Sequence, residues 1–203
     1  MMSVSSAVRA GSERRDEILG IAAELFAERG FAATTVREIA DAAGILSGSL
    51  YHHFDSKESM ADELVRGLLE RVLARYRAIV GANDEPVATL RALVRTAFEV
   101  IAGDRATVAV MVNEWNLFAQ YPRFAYLERM EEDTEQLWVN VLERGRRAGA
   151  FRRDLEPRMV YRFMRDAIWV TVRWYRADGR DNADEIADRY VSVLLGGIAV
   201  EGV

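Results

Sequence analysis

From residue 12 onward the apolar positions of this chain recur at intervals of three and four, the spacing of a helix face rather than of a strand. Ile18, Ile21, Ala22, Leu25 and Phe26 form one such stripe over about 12–28, and Gly30 stops the helix. Thr35 caps a short helix through about Ala42, which Gly44 terminates, and a third short helix runs from about Leu46 to His53. Ser56 caps a much longer fourth, with Glu58 and Glu63 near its positive end. Beyond Gly81 and Asn83, Pro86 opens a helix to about Ala102, and another covers Arg105 to Ala119. The link Gln120-Tyr121-Pro122 leads to a helix from about Phe124 to Arg147, ended by Gly149. Pro157 sits in the first turn of a helix to about Arg176, and Asp181 or Asn182 caps a last one to about Leu195. The pattern predicts an all-α fold of about nine helices.

Composition narrows the function more by exclusion than by assertion. Half of the 203 residues are apolar, enough for a sizeable core. The absence of cysteine removes disulfides, thiol nucleophiles and zinc-thiolate sites, and suits a reducing compartment. The polar start, Met1 to Gly11, lacks the apolar core of a signal peptide, and no stretch approaches the ~20 apolar residues of a membrane span, so a cytoplasmic location is expected. Net charge does not point to nucleic acid: 27 basic residues face 32 acidic ones. A DNA function has to come from where the charges sit. Lys57 is the only lysine.

The second and third helices, joined by a turn at Gly44, have the proportions of a helix-turn-helix, whose second helix enters the major groove. Val36, Ile39 and Ala40 face inward and Arg37 outward; Ile45, Leu50 and Phe54 pack, leaving Ser47, Gly48, Ser49, Tyr51 and His52 on the outer side. Small residues at the helix start let the backbone approach DNA, the polar groups bond phosphates, and Arg37 suits a guanine edge. Lys57 and its helix N-terminus are placed to hold a backbone phosphate. His52 and His53 lie about 100° apart on a helix and cannot share one metal ion. Arg9, Arg14 and Arg15 are more simply solvated than inserted in a groove.

The runs Phe26-Ala27-Glu28-Arg29-Gly30-Phe31, Thr34-Thr35-Val36-Arg37-Glu38-Ile39-Ala40, Ala43-Gly44-Ile45 and Gly48-Ser49-Leu50-Tyr51-His52-His53-Phe54, with Lys57, resemble the TetR-family signature. The resemblance covers about residues 12–60. It implies a dimeric transcriptional repressor with a DNA-binding head, residues 1–58, and a ligand-binding and dimerisation domain, residues 59–203. It also implies DNA-facing roles for Thr35, Arg37, Ser47, Gly48, Ser49, Tyr51, His52 and Lys57. Leu46 departs from the pattern, standing where a capping serine is usual, and Ser47 stands where lysine is frequent. The last two helices are expected to pair with those of a second subunit, with Leu194, Leu195, Ile198, Met159, Phe163, Ala167 and Val170 as apolar contact surface.

In the second domain Arg158, Arg162, Arg165, Trp169, Arg173 and Arg176 recur at intervals of three and four, close to one helical face. Like charges so spaced repel, so something negative should offset them. Asp166, acids on neighbouring helices or plain solvent would serve; so would a ligand anion held by Arg165 while Trp169 packs on an apolar body. Arg162, Arg173, Trp115, Tyr121, Phe124 and Met130 are candidates for the rest of that site. Nearly the whole chain, including Pro122-Arg123-Phe124, Val160-Tyr161-Arg162-Phe163-Met164-Arg165-Asp166 and Leu195-Gly196-Gly197-Ile198, is similar to a KstR-type subgroup of repressors of bacterial steroid (cholesterol) catabolism. That resemblance implies an inducer that is a coenzyme A thioester of a ring-degradation intermediate, met by Arg165 and Trp169; the residues alone indicate an amphipathic anion.

No Gly-x-Ser-x-Gly elbow, Walker loop or dinucleotide fingerprint is present, so an enzyme is not expected, nor a cofactor or metal beyond the inducer. The competing readings are a TetR-type regulator of another pathway or of efflux with a different amphipathic anion, and a DNA-binding protein without inducer. In the inducible case, ligand in the second domain is expected to tilt the long fourth helix and change the spacing of the two heads.

Overall fold

The computed structural model describes residues 3–176, 179 and 182–198, with side chains from residue 12 onward. Among these the chain is helical without a strand: α1 (Ser3–Arg29), α2 (Val36–Ala42), α3 (Ser47–Leu50), α4 (Lys57–Ala82), α5 (Pro86–Gly103), α6 (Arg105–Phe118), α7 (Tyr126–Ala148), α8 (Pro157–Val170) and α9 (Ala183–Ile198). Single 3-10 turns at Pro122–Phe124 and Thr171–Arg173 precede α7 and follow α8.

Helix starts are fixed by short-range caps. Thr35 and Glu38 form a reciprocal capping box on α2, and Ser56 and Ser59 form another on α4. Glu85 and Glu156 each precede a proline in the first turn and each accept two backbone N–H bonds, so α5 and α8 begin on the same Glu-Pro device. Asn182 caps α9 with Glu185 bonding back to it at 3.2 Å; Asp181, the other candidate cap, lies outside the described residues. At the far end of α7, Gly149 takes φ +77° and the N–H of Ala150 reaches the carbonyl of Gly145, closing a Schellman stop.

The core is centred on α5, whose Leu90, Leu93, Val94, Ala97, Phe98 and Ile101 are buried and which packs on α4, α6, α7, α8 and α9. The head (α1–α3) closes around Ile18, Ala22, Phe26, Ile39, Leu50 and Phe54. It is joined to the larger domain by a chain of rings: Phe26 lies edge-on to Phe31 at 5.3 Å, Phe31 edge-on to Phe118 at 5.1 Å, and Phe118 stacks on Phe124 at 4.4 Å.

Two expected helices are shorter than their patterns. α3 stops at Leu50, and Tyr51 to His53 continue only as turn. α8 stops at Val170, where the β-branched run Val170-Thr171-Val172 disfavours helix and the Thr171 hydroxyl donates back to the carbonyl of Ala167 at 3.1 Å. The chain then tightens into a 3-10 turn. Arg173 and Arg176 therefore lie beyond α8, and the predicted arginine face ends at Arg165 and Trp169.

Candidate nucleic-acid interface and ligand cavity

α2 and α3 are set at their angle by the turn between them. Gly44 takes φ +66°, a conformation that side chains with a Cβ resist, while the Gly44 N–H donates to the carbonyl of Asp41 and that of Ile45 to Ala40. Leu50 and Ile39 are buried at the crossing. This leaves Arg37, Leu46, Gly48, Tyr51 and His52 exposed, with Ser47 and Ser49 half-buried beside them. Arg37 is the freest cation of this face: its side chain is 85 % exposed and only a 3.8 Å approach to Asp41 restrains it. Leu46 stands at the cap position of α3 without a side-chain hydrogen bond and is 79 % exposed.

Two residues of the expected interface, Thr35 and Lys57, are committed to structural partners, as are Arg14 and Arg15 beside it. Thr35, though exposed, is engaged in its capping box; the Thr35 backbone N–H and then its hydroxyl hold the Glu38 carboxyl below the usual carboxylate range. Lys57 does not present its ammonium for a phosphate. Nζ donates to the carbonyls of Phe31 at 2.7 Å and Thr34 at 2.8 Å, approaches that of Ala32 at 3.4 Å, and lies 4.4 Å above the Phe31 ring. An ammonium has three N–H bonds, and three carbonyls of the α1–α2 turn face them. Arg14 bonds Glu17 and the Ala43 carbonyl, and Arg15 pairs with Glu63 over the Phe54 ring, so both brace the head; the Arg9 side chain lies outside the described residues.

In the larger domain α4, α6, α7 and α8 line a partly open cavity of about 390 Å³. Its walls are largely apolar, with Leu69 and Val72 from α4, Met111, Val112 and Trp115 from α6, Met130 from α7 and Trp169 from α8. The polar groups converge at one place. Arg165 donates through Nη1 to Glu131 at 2.6 Å and through Nε to Asp166 at 2.8 Å, and the Tyr161 hydroxyl donates to the same Glu131 oxygen at 3.4 Å. Burial, reinforced by the negative Glu131, pushes the Tyr161 pKa upward, so this phenol remains a proton donor.

Of the ligand candidates, Arg165, Trp169, Trp115 and Met130 line this cavity, and Arg162, Arg173, Tyr121 and Phe124 do not. Arg162 faces outward with Glu132, Glu135 and Arg158, and Arg158 pairs with Glu135 at 3.3 Å. Arg173 is exposed on the 3-10 turn that cut α8 short. Phe124 is 1 % exposed because it stacks on Phe118 in the core, and Tyr121 sits on the loop at its edge. Asn116, Glu131, Thr134 and Tyr161, not singled out by sequence as ligand candidates, also belong to the polar lining. Of these only Glu131 left a trace, as one of the neighbouring acids that the arginine pattern called for.

The cavity and the head share α6. Met111, Val112, Trp115 and Asn116 face the cavity, whereas Glu114 accepts the backbone N–H of Phe31 at 3.0 Å. A group of exposed apolar residues lies elsewhere, on α8 and α9: Phe163 is 68 % exposed and Val193 79 %, beside Met159 and a shallow groove running to Leu194.

Comparison with known proteins fits these two regions. Residues 18–64 match the model "Bacterial regulatory proteins, tetR family", and residues 83–198 match "Tetracyclin repressor-like, C-terminal domain". The chain is 50 % identical over 188 residues to the HTH-type transcriptional repressor KstR2 of Rhodococcus jostii, covering 93 % of this chain and 92 % of the relative. It is also 50 % identical over 192 residues to KstR2 of Mycobacterium tuberculosis, covering 95 % and 96 %. The solved structure of the ketosteroid transcriptional regulator KstR2 of M. tuberculosis superposes with a TM-score of 0.90 at 49 % identity, over 93 % of this chain and 96 % of that one. An exposed helix-turn-helix joined to a helical domain with a partly open cavity, together with half-identity to these repressors over nearly the whole length, places the chain in the TetR family as a transcriptional repressor.

Proposed function

We propose that the chain binds a palindromic operator as a homodimer, residues 1–58 reading DNA and residues 59–203 holding an inducer, and that a steroid-derived acyl-CoA thioester releases it. The observation that carries the inducible reading is the 390 Å³ cavity, whose long apolar walls end at a single guanidinium, that of Arg165. Such a site suits an apolar body bearing an anionic group. The steroid class rests on the similarity to KstR2 proteins, one of which is named a ketosteroid regulator. The exposed apolar surface of α8 and α9 supports pairing with a second copy, which would set two recognition helices about 34 to 36 Å apart, one turn of DNA.

On the DNA, Arg37, Ser47, Gly48, Ser49, Tyr51 and His52 make the contacts; Lys57 acts behind them by tying the α1–α2 turn to the start of α4. Coupling runs through two helices. α4 leads from the head to the cavity wall at Leu69 and Val72, and α6 reaches from the wall back to Phe31. A ligand that binds the released state a hundredfold better shifts the equilibrium by about 2.7 kcal/mol, sufficient to loosen an operator complex.

The test is binding of the purified protein to a palindromic fragment from its own upstream region at one fixed salt concentration, with and without the thioester. Tight binding that the thioester releases is expected. Tight binding indifferent to it would retain the DNA function and discard this inducer.

A further inference from the structure

Among the residues lining the cavity, Arg165 carries the only positive charge, against two negative ones on Glu131 and Asp166. An incoming oxyanion thus meets a guanidinium whose inner face is already filled. The two carboxylates are not equivalent. Asp166 is the next residue on the same helix and its side chain is 69 % exposed, so it can turn into water. Glu131 comes from α7, is 30 % exposed, and holds both the Arg165 Nη1 and the Tyr161 hydroxyl from the cavity side. Its carboxylate stands where a ligand's oxyanion would need to be.

Building on the proposal that the cavity takes an amphipathic anion, we infer that Glu131 is a resident counter-ion that the ligand displaces, and that this exchange sets the ligand selectivity of the site. Swapping one carboxylate on Arg165 for another oxyanion is close to neutral in electrostatic terms, because the new charge-assisted bonds replace equal ones. The apolar body of the ligand must then supply the net affinity against Trp115, Trp169 and Met130. A small anion without that body gains nothing by entering. A neutral apolar molecule leaves the Glu131–Arg165 pair closed. When Glu131 swings away, Arg165 Nη1 and the Tyr161 hydroxyl are freed together, two donors aimed at one oxyanion. The oxyanion is a carboxylate or a phosphate; both suit this pair of donors.

The replacement Glu131→Gln keeps the shape and one acceptor for Tyr161 while removing the competing charge. Fluorescence titration of the full chain with anilinonaphthalene sulfonate, an amphipathic anion, and with its neutral counterpart phenylnaphthylamine reads the effect independently of any steroid. E131Q should bind the sulfonate about fivefold more tightly, the scale of one partly exposed ion pair, and the neutral amine within about twofold of wild type. The gain should vanish when E131Q is compared in an R165Q background, which locates it at the guanidinium. An unchanged or weaker sulfonate affinity, or equal tightening of both probes, would overturn the exchange. A perhydroindane propanoic acid and its CoA thioester then separate the sources: a gain with the free acid assigns the displaced position to a carboxylate, and a gain with the thioester alone to a phosphate. If the sulfonate shows the gain and neither steroid-like compound binds wild type, the exchange stands and the steroid inducer falls.

Discussion

The head and the ligand domain use their key cations in opposite senses. Lys57, in the DNA-reading motif, turns inward and satisfies backbone carbonyls of the α1–α2 turn. Arg165, in the interior of a helical bundle, turns toward a cavity and is held by carboxylates that can leave it. Carbonyls fixed by the turn cannot be displaced without opening the head, whereas a side-chain carboxylate exchanges at small cost. A positive charge in a recognition motif is therefore not necessarily the one that meets the ligand. Under the proposed function, a structural cation differs from a ligand-binding one in whether its counter-group is backbone or side chain.

The largest effect expected from this contrast is that of Lys57→Ala. Losing a charged donor shared by part-buried carbonyls should lower stability by about 2 kcal/mol in chemical unfolding, besides weakening operator binding. A variant that keeps wild-type stability and loses only a phosphate contact, with the salt slope reduced by about one, would return Lys57 to the DNA side. Arg165→Ala is its counterpart: inducer affinity should fall about tenfold while operator binding without inducer is retained, and loss of both would make Arg165 structural. Arg37→Ala sharpens the head's side of the contrast, since its exposed guanidinium makes only a solvent-screened approach to Asp41 at 3.8 Å. Operator affinity should fall about tenfold with stability changed by less than about 0.5 kcal/mol, measured by anisotropy and by unfolding.

The smallest effect belongs to the α2 cap. Because the folded pKa of Glu38 is lowered by its bonds to Thr35, the stabilisation it gives is present above the ordinary glutamate range and lost as pH falls through the lowered value. The stability difference between wild type and Glu38→Gln should therefore shrink as pH drops below about 4, read by thermal unfolding at several pH values. A difference independent of pH would mean that charge plays no part in the cap.

Features decided within a few residues were legible in the sequence. The cap at Thr35, the stops at Gly30, Gly44 and Gly149, and the prolines of α5 and α8 each act locally, and the structure has helix ends at those places. The cavity was legible only in part. Arg165 and Trp169 share a face of α8, so their joint position followed from periodicity, but the partner Glu131 lies 34 residues away and nothing local selects it. Phe124 and Trp115 carry the same aromatic signal and lie on opposite sides of the wall, one stacked in the core and one facing the cavity. The early end of α8 was missed because the three β-branched residues Val170, Thr171 and Val172 disfavour helix only mildly, too weak a local signal to place the stop.

The central claim, that cavity and DNA face belong to one coupled switch, is tested most directly by reciprocity. Binding of the steroid-derived thioester should be titrated on the free protein and on its operator complex under the same salt. Linkage requires the thioester to bind the operator complex more weakly by the same factor by which it weakens operator affinity. Equal thioester affinity in the two titrations would mean that the cavity does not communicate with the DNA face.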